Sequence, residues 1–221
     1  MKKEFKIISE LIENNTRVLD VGCGDGTLMK YLKDKKNVDT RGLEISKKNV
    51  QDCTGKSLSV IEGNAEKDLH QFPNLSFDYV VLSQTLQAFL DPENVIAELL
   101  RIGKKAIVTI PNFGYWKVRL HLLFKGTMPI TKNLPNEWYN TPNLHMCTIK
   151  DFVNYCNNKN IKINSSNLSY KNLFSQLGIF VIGIVPFNSK CNLTFQYPKF
   201  GIVTIALFAT FNRSSITFSG L

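Results

Sequence analysis

A loop with glycine at every second position constrains this chain more than any other feature of its sequence. An apolar run, Val18–Val21, carries Asp20 near its end and is followed by Gly22, Gly24 and Gly26. Glycine suits a backbone that turns tightly and approaches a ligand, because it has no Cβ and tolerates positive φ. A helix-like stretch follows at once, and a helix N-terminus presents unpaired N–H groups. The spacing differs from that of phosphate-binding and dinucleotide-binding loops. It therefore indicates a nucleoside ligand with a carboxylate and an amine.

Strand-like and helix-like runs alternate through the first two thirds of the chain, which is typical of a parallel sheet covered on both faces. The predicted strands are Arg17–Val21, Thr40–Leu43, Leu58–Ile61, Phe77–Leu82, Lys105–Ile110, Ile161–Tyr170 and Gly178–Val185. Predicted helices begin at Thr27, after Ser46, after Asp91, at Tyr115 and after Thr148. This order predicts an α/β fold, namely a three-layer, doubly wound sheet of seven strands.

Residues 186–221 differ in composition from the rest of the chain. They include an apolar stretch, Phe200–Phe211, that is too short to span a bilayer, and residues 152–221 contain no Asp or Glu. Two interpretations stay open: a tail read from a shifted frame of an AT-rich gene, or a lineage-specific segment that covers a sheet edge or a partner surface. We therefore expect one domain over residues 1–185 and an atypical tail over residues 186–221.

Composition argues against several classes of protein. The five cysteines are scattered and never form CxxC, so neither a disulfide framework nor a metal site is expected. No apolar run reaches the length of about 18 residues that a membrane-spanning helix needs. The charged start Met1–Glu4 is not followed by the apolar segment of a signal peptide, so a cytoplasmic protein is expected. The net charge of +9 is not gathered in a basic stripe with interleaved aromatics, which argues against nucleic-acid binding.

Polar residues at the ends of later strands fit the same nucleoside ligand. Glu44 follows the glycine loop by about 20 residues, where a carboxylate accepts from both hydroxyls of a ribose. After the third strand, Asn64 and the N–H of Ala65 suit an adenine ring. Ser83 and Gln84 end the fourth strand, where either contacts the amino-acid end of the ligand or caps the next helix. The expected ligand contacts are Asp20, Gly22, Cys23, Gly24, Gly26, Glu44, Ile45, Asn64, Ala65, Ser83 and Gln84. Asp25 either caps the following helix or contacts the ligand.

These features together resemble the class I S-adenosylmethionine-dependent methyltransferases, with a Rossmann-like fold. A narrower resemblance, to the MetW family of methionine biosynthesis proteins, is carried by Arg17–Leu28, Phe77–Gln87, Ile110–Gly114 and Glu137–Phe152. The resemblance implies S-adenosylmethionine or S-adenosylhomocysteine as cofactor. It also implies a bacterial, cytoplasmic protein that acts with homoserine O-acetyltransferase. The motifs do not name a methyl acceptor.

The residues expected on the acceptor side are Asn112, Tyr115, Trp116, Tyr139 and His145. His145 is a candidate base, but a histidine that hydrogen-bonds loop backbone is favoured, because no acid lies beside it in the sequence. The aromatic residues fit a lid or core packing. The fourth strand is not followed by Asn-Pro-Pro-Tyr, which argues against methylation of a nucleobase or glutamine nitrogen.

Two functions of different class stay open, and the biological setting of the first is what the resemblance implies. In one, the chain is a methionine biosynthesis protein that binds S-adenosylmethionine and supports homoserine O-acetyltransferase without catalysing methyl transfer. In the other, it methylates a small metabolite, since a sulfonium donor is already activated and mainly needs an acceptor in line. Dependence of the acetyltransferase on this chain would favour the first, and transfer of a labelled methyl group would favour the second.

Overall fold

Seven strands form a mixed sheet in the computed structural model, which describes residues 2–131, 134–163 and 177–184. The strands are β1 (Arg17–Val21), β2 (Asp39–Glu44), β3 (Ser59–Glu62), β4 (Phe77–Ser83), β5 (Gly103–Pro111), β6 (Ile161–Ile163) and β7 (Leu177–Ile184). Their spatial order is β3-β2-β1-β4-β5-β7-β6, and β7 runs antiparallel to both of its neighbours. The predicted seven-stranded α/β fold is confirmed. The predicted stretches 164–170 and 185 lie outside the described residues.

Seven helices connect and cover these strands within the described part of the chain. They are α1 (Lys3–Leu11), α2 (Thr27–Lys36), α3 (Lys47–Gly55), α4 (Ala65–Asp68), α5 (Pro92–Ile102), α6 (Trp116–Lys125) and α7 (Ile149–Asn158). Short 3-10 turns occur at Leu69–Gln71 and Leu86–Ala88. The sequence reading placed the starts of α2, α3, α5, α6 and α7 within one residue and did not predict α1.

Two of these helices begin where their capping residues predict. The Asp91 side chain accepts a hydrogen bond of 3.0 Å from the Asn94 N–H, and Pro92 occupies the first helical position of α5. Thr148 and Asp151 form a reciprocal capping box at the start of α7. Local side-chain chemistry therefore sets both boundaries. Ser46 also stands at the N-cap of α3, but its side chain makes no capping hydrogen bond.

The core lies on the central strands, where the sheet is covered on both faces. From α1 and α2, Ile8 and Leu32 pack in one cluster with Val81 and Ile107 of β4 and β5. All four side chains are fully buried, and each contributes about 1.5–3 kcal/mol relative to an exposed position. The helix α5 packs on β4 and β5. This packing fixes the carboxyl ends of the central strands relative to one another.

The sheet has its topological switch point at β1, since β2 lies on one side of it and β4 on the other. Ligands of open α/β sheets bind in the crevice beyond the carboxyl ends of the strands at such a point. The described residues all fall within one compact unit, Met1–Asn188, and the proposed tail at 186–221 lies outside them. No helix among residues 2–131, 134–163 and 177–184 has the length and apolarity needed to cross a membrane.

Candidate functional site

The glycine loop lies at the switch point and has the backbone conformation that the sequence predicts. Gly22, Gly24 and Gly26 have φ values of 71°, 56° and 72°, in the left-handed region that favours glycine. The Gly22 N–H donates to the carbonyl of Leu43 at 2.7 Å, which ties the loop to β2. Gly26 is the N-cap of α2. A Cβ on Gly26 would lie 2.5 Å from Leu58 Cδ1, so packing behind the loop also excludes a side chain there.

Glu44 is the acid expected to bind a ribose, and its carboxylate faces the glycine loop. One oxygen accepts from the Gly24 N–H at 2.8 Å, and the other accepts from the Ser46 N–H at 2.9 Å. The residue is only 7% exposed. Two backbone donors thus fix the carboxylate at the end of β2, and each of its oxygens keeps a further lone pair for a ligand hydroxyl. The neighbouring Ile45 side chain is 67% exposed and available for contact with a ligand ring.

Asp20 is the most buried carboxylate of the site. It lies in β1, is 3% exposed, and its carboxylate accepts no hydrogen bond from the described residues. Burial raises its pKa to about 7, and the charges of Glu44 and Glu4 add to the effect. The described residues place no lysine or arginine in an ion pair with any of these three carboxylates. Among the described residues, the crevice is therefore acidic and these carboxylates have no cationic side chain paired with them.

The remaining loop residues, Cys23 and Asp25, have mainly structural contacts. The Cys23 side chain is buried in a small cluster with Met29, Cys53 and Leu58, so its contact with a ligand would use its backbone. Burial raises the pKa of the Cys23 thiol, which keeps it protonated. Asp25 accepts from the Thr27 N–H at 3.2 Å and from the Thr27 hydroxyl. The structure thus gives Asp25 the helix-capping arrangement that the sequence left open.

The end of β3 holds the pair expected at an adenine ring. The Asn64 side chain accepts from the Glu66 N–H at 2.9 Å and caps α4, whose first residue is Ala65. The Asn64 N–H donates to Asp68 at 2.7 Å. Part of the hydrogen-bonding capacity of Asn64 therefore serves the local fold. Contact of Asn64 or Ala65 with adenine stays a prediction.

The end of β4 contains a polar network that sequence reasoning missed in part. Ser83 and Gln84 were expected at the ligand's amino-acid end, and both side chains donate to Glu4, with 2.8 Å for the Ser83 hydroxyl. Thr109, in β5, donates its hydroxyl to the same carboxylate at 2.6 Å. Glu4 is 7% exposed. Its helical spacing of four residues from buried Ile8 would have placed it on the inward face of α1.

The acceptor-side candidates are divided between a buried turn and an exposed segment. Asn112 is buried after β5, and its side-chain oxygen accepts from the Gly114 N–H at 3.0 Å. Tyr139 is exposed, as is the side chain of His145. The exposed segment that holds Tyr139 and His145 contacts the 3-10 turn after β4, because the His145 N–H donates to the Gln87 carbonyl at 3.0 Å. Tyr115 is the N-cap of α6, and Trp116 lies at its first turn.

A separate cleft of about 490 Å³ lies at the opposite edge of the sheet, at the amino ends of the strands. Its walls carry two exposed ion pairs, Arg17–Asp39 and Lys104–Asp78. These charges are already paired, and exposed pairs of this kind contribute little energy. The cleft contains none of the predicted ligand contacts. The carboxyl edge, with its glycine loop and unpaired carboxylates, is therefore the candidate functional site.

Comparison with known families gives a match over most of the chain. The family described as methionine biosynthesis protein MetW matches residues 2–182. A curated relative, the bifunctional methionine biosynthesis protein MetXA/MetW of Rhodopirellula baltica, is 32% identical over 168 residues. That match covers 71% of this chain but only 26% of the relative. The demethylmenaquinone methyltransferase of Listeria welshimeri is 28% identical over 54% of this chain and 56% of the relative.

Solved structures with the same fold are more distant in sequence. The [4+2]-cyclase SpnF superposes with a TM-score of 0.56 and 20% identity, over 74% of this chain and 58% of that one. A SAM-dependent methyltransferase from Aquifex aeolicus gives a TM-score of 0.56 with 14% identity, over 81% of this chain and 89% of that one. These similarities establish the class I methyltransferase fold. They also show that proteins of this fold include one named as a cyclase, so the fold alone does not identify a reaction.

Proposed function

The chain belongs to the MetW family of methionine biosynthesis proteins, and from that premise we propose that it binds S-adenosylmethionine, or its demethylated product, at the carboxyl edge of β1, β2 and β4. The observation that carries the proposal is the Glu44 carboxylate, held between the N–H groups of Gly24 and Ser46. An oriented carboxylate beside a left-handed glycine loop suits a ribose whose nucleoside extends over the loop.

The charge of the crevice supports a cationic nucleoside. Asp20, Glu44 and Glu4 are buried, and no described lysine or arginine forms an ion pair with them. Buried charge is costly unless it is paired. The sulfonium and the ammonium of S-adenosylmethionine would supply the missing positive charge. A polyphosphate would instead meet like charge in the same place.

Calorimetric titration with S-adenosylmethionine tests the site directly. Substitution Glu44→Ala should weaken binding about 10- to 100-fold, since a hydrogen bond to a charged group contributes about 1.5–3 kcal/mol. Glu62→Ala is the matched control, because Glu62 pairs with Glu44 in the register of β2 and β3 but is exposed. Saturable binding by the native chain and the control, and weak binding by Glu44→Ala, would support the proposal. Equal affinities would contradict it.

We further propose that the chain acts with homoserine O-acetyltransferase in the cytoplasm, as the family resemblance implies. The bifunctional relative joins MetXA and MetW in one name, and this chain matches about a quarter of its length. Large apolar side chains are exposed along residues 116–146, among them Leu123, Phe124 and Trp138. Apolar side chains that form a contiguous exposed patch mark protein interaction sites, and we propose that these side chains contribute to such a site. The acetyltransferase should lose activity without this chain, and unchanged activity would contradict the partnership.

A second candidate is methyl transfer to a small metabolite. The observation that favours it is the similarity to the demethylmenaquinone methyltransferases, because that name describes proteins that transfer a methyl group. The weak candidates for an acceptor-side role are Asn112, Tyr139 and His145. Incubation with methyl-labelled S-adenosylmethionine and a bacterial metabolite extract tests this candidate. Label in a metabolite would support methyl transfer, and unlabelled metabolites with intact ligand binding would support the non-catalytic function.

A further inference from the structure

The helix α6 is apolar on the side that faces away from the core. Within Trp116–Lys125, all of which the structure describes, Val118 is the one buried residue. Four large apolar side chains of the helix are between 38% and 78% exposed, namely Trp116, Leu120, Leu123 and Phe124. They follow one another at intervals of four, three and one residues, which places them on one side of an α-helix. An apolar stripe with this spacing normally faces a core, so this outer stripe indicates a surface that a partner covers.

The charged side chains of α6 are all basic. Residues 99–136 contain no Asp or Glu, whereas Lys117, Arg119 and Lys125 lie on the helix itself. None of these three side chains forms an ion pair with the residues that the structure describes. At about 3.6 residues per turn, Lys117 and Arg119 border the outer stripe on opposite sides. The surface is therefore apolar along its middle and positively charged along both edges.

This charge pattern distinguishes between possible occupants. A second copy of the chain, packed with α6 against α6, would bring like charges together, and residues 99–136 offer no acid to offset them. A partner with carboxylates around an apolar groove would instead complement both the middle and the edges of the surface. Recognition of a helix in a groove uses apolar anchors at this spacing. The ten residues of α6 form a rod of about 15 Å, which presents all four anchors to one groove.

We propose that the outer stripe of α6 docks into an apolar groove, rimmed by carboxylates, on the homoserine O-acetyltransferase. The inference rests on the proposed function, because that partnership favours a protein over an anionic membrane as the occupant. It goes further in assigning the contact to one helix. Leu123 and Phe124, the most exposed of the four side chains, enter the groove, and Lys117 and Arg119 pair with its rim. Aromatic anchors and arginines carry much of the binding energy in interfaces of this kind.

Calorimetric titration with purified homoserine O-acetyltransferase tests the apolar part of the surface. Phe124→Ala should weaken binding about 10- to 100-fold, because an aromatic anchor is lost from the groove. Leu90→Ala is the matched control, since Leu90 is likewise 78% exposed but lies outside α6. It should bind like the native chain. Because both side chains are exposed, the urea midpoint of unfolding should be the same for both variants, which separates a binding effect from a folding defect.

A charge reversal tests the edges of the surface. Arg119→Glu should weaken binding about tenfold at low ionic strength and much less at about 0.5 M salt, since salt screens exposed charges. Lys35→Glu, on the exposed surface of α2, makes the same change in net charge. It should leave the affinity unchanged at both salt concentrations.

The outcomes separate the docking surface from the partnership itself. Binding by the native chain with unchanged affinity in Phe124→Ala and Arg119→Glu would overturn the docking surface alone. So would binding to phosphatidylglycerol vesicles that Phe124→Ala abolishes while the affinity for the acetyltransferase stays the same, because the stripe would then be a membrane surface. Failure of the native chain to bind the acetyltransferase would instead contradict the proposed partnership, on which the docking surface rests.

Discussion

The two sides of the switch point hold their carboxylates in different ways. On the β2 side, Glu44 is bound by backbone N–H groups of the glycine loop and of Ser46, no more than 20 residues away in sequence. On the β5 side, Glu4 is bound by side chains, one of them 105 residues away. Backbone donors are in place once the loop forms, whereas the side-chain donors require α1, β4 and β5 to be assembled. The position of the Glu44 carboxylate thus depends on contacts close in sequence, whereas the position of the Glu4 carboxylate depends on contacts between elements that are far apart in the chain.

Asp20 lies between the two sides, and its substitution should produce the largest change in the free energy of unfolding. Its pKa is raised from 3.8 to about 7 by burial first, then by Glu44 and Glu4. Unfolding therefore releases a proton between about pH 4 and 7, and the free energy of unfolding falls across this range by up to about 4 kcal/mol. This stabilisation is complete below pH 4 and lost as the pH rises through 7.

Urea denaturation of Asp20→Asn from pH 4.5 to 8 checks this expectation. The variant should lose this part of the pH dependence and be more stable than the native chain at pH 8. Asp52→Asn, an exposed change on α3, should keep the native profile. If Asp20→Asn keeps the native pH dependence, Asp20 has the same pKa in the folded and unfolded chain, and the raised pKa of the buried carboxyl is wrong.

A smaller difference in the free energy of unfolding is expected between alanine substitutions of two glycines of the loop, Gly24 and Gly26. Gly26→Ala introduces a Cβ within 2.5 Å of Leu58 Cδ1 and 2.8 Å of Cys53 Sγ, both in a buried cluster. A Cβ on Gly24 would meet nothing within 4 Å. We expect Gly26→Ala to lower the free energy of unfolding by about 2–3 kcal/mol and Gly24→Ala by about 1 kcal/mol. Equal losses in thermal denaturation would show that only the positive φ matters.

The smallest effect is expected for His145→Ala on the β5 side. The His145 side chain is exposed, and the residue reaches the site through its N–H on the Gln87 carbonyl. Alanine keeps that hydrogen bond, so the affinity for S-adenosylmethionine should change less than about twofold. Calorimetry measures this, with the native chain as reference. A tenfold loss would give the imidazole a direct role in the site.

The same contrast explains how much of the site the sequence could predict. The positions of strand β1, the left-handed glycines and Glu44 could be predicted because turn chemistry and a fixed spacing are local properties. That these residues bind a ligand stays a prediction. The start of α5 was predictable for the same reason, since Asp91 and Pro92 are a local cap.

The Glu4 network could not be predicted in this way, because its members are joined only by the tertiary fold. Ser83 and Gln84 were identified by their position at a strand end, but their partner on α1 lies about 80 residues earlier. An acidic residue on the inward face of a helix, Glu4, was the signal in the sequence that could have indicated this network, but α1 itself was not predicted. The pairing of β7 between β5 and β6 was likewise beyond a local reading, since it depends on antiparallel contacts distant in sequence.

The most direct test of the account is amide NMR mapping of S-adenosylmethionine on the native chain. The account predicts saturable shifts at the glycine loop, at Glu44–Ser46 and at Ser83–Gln87. Amides around the opposite cleft, such as those of Arg17 and Asp78, should not move. Shifts confined to that cleft, or no shifts at saturating ligand, would contradict the claim that the carboxyl edge of the sheet binds the nucleoside.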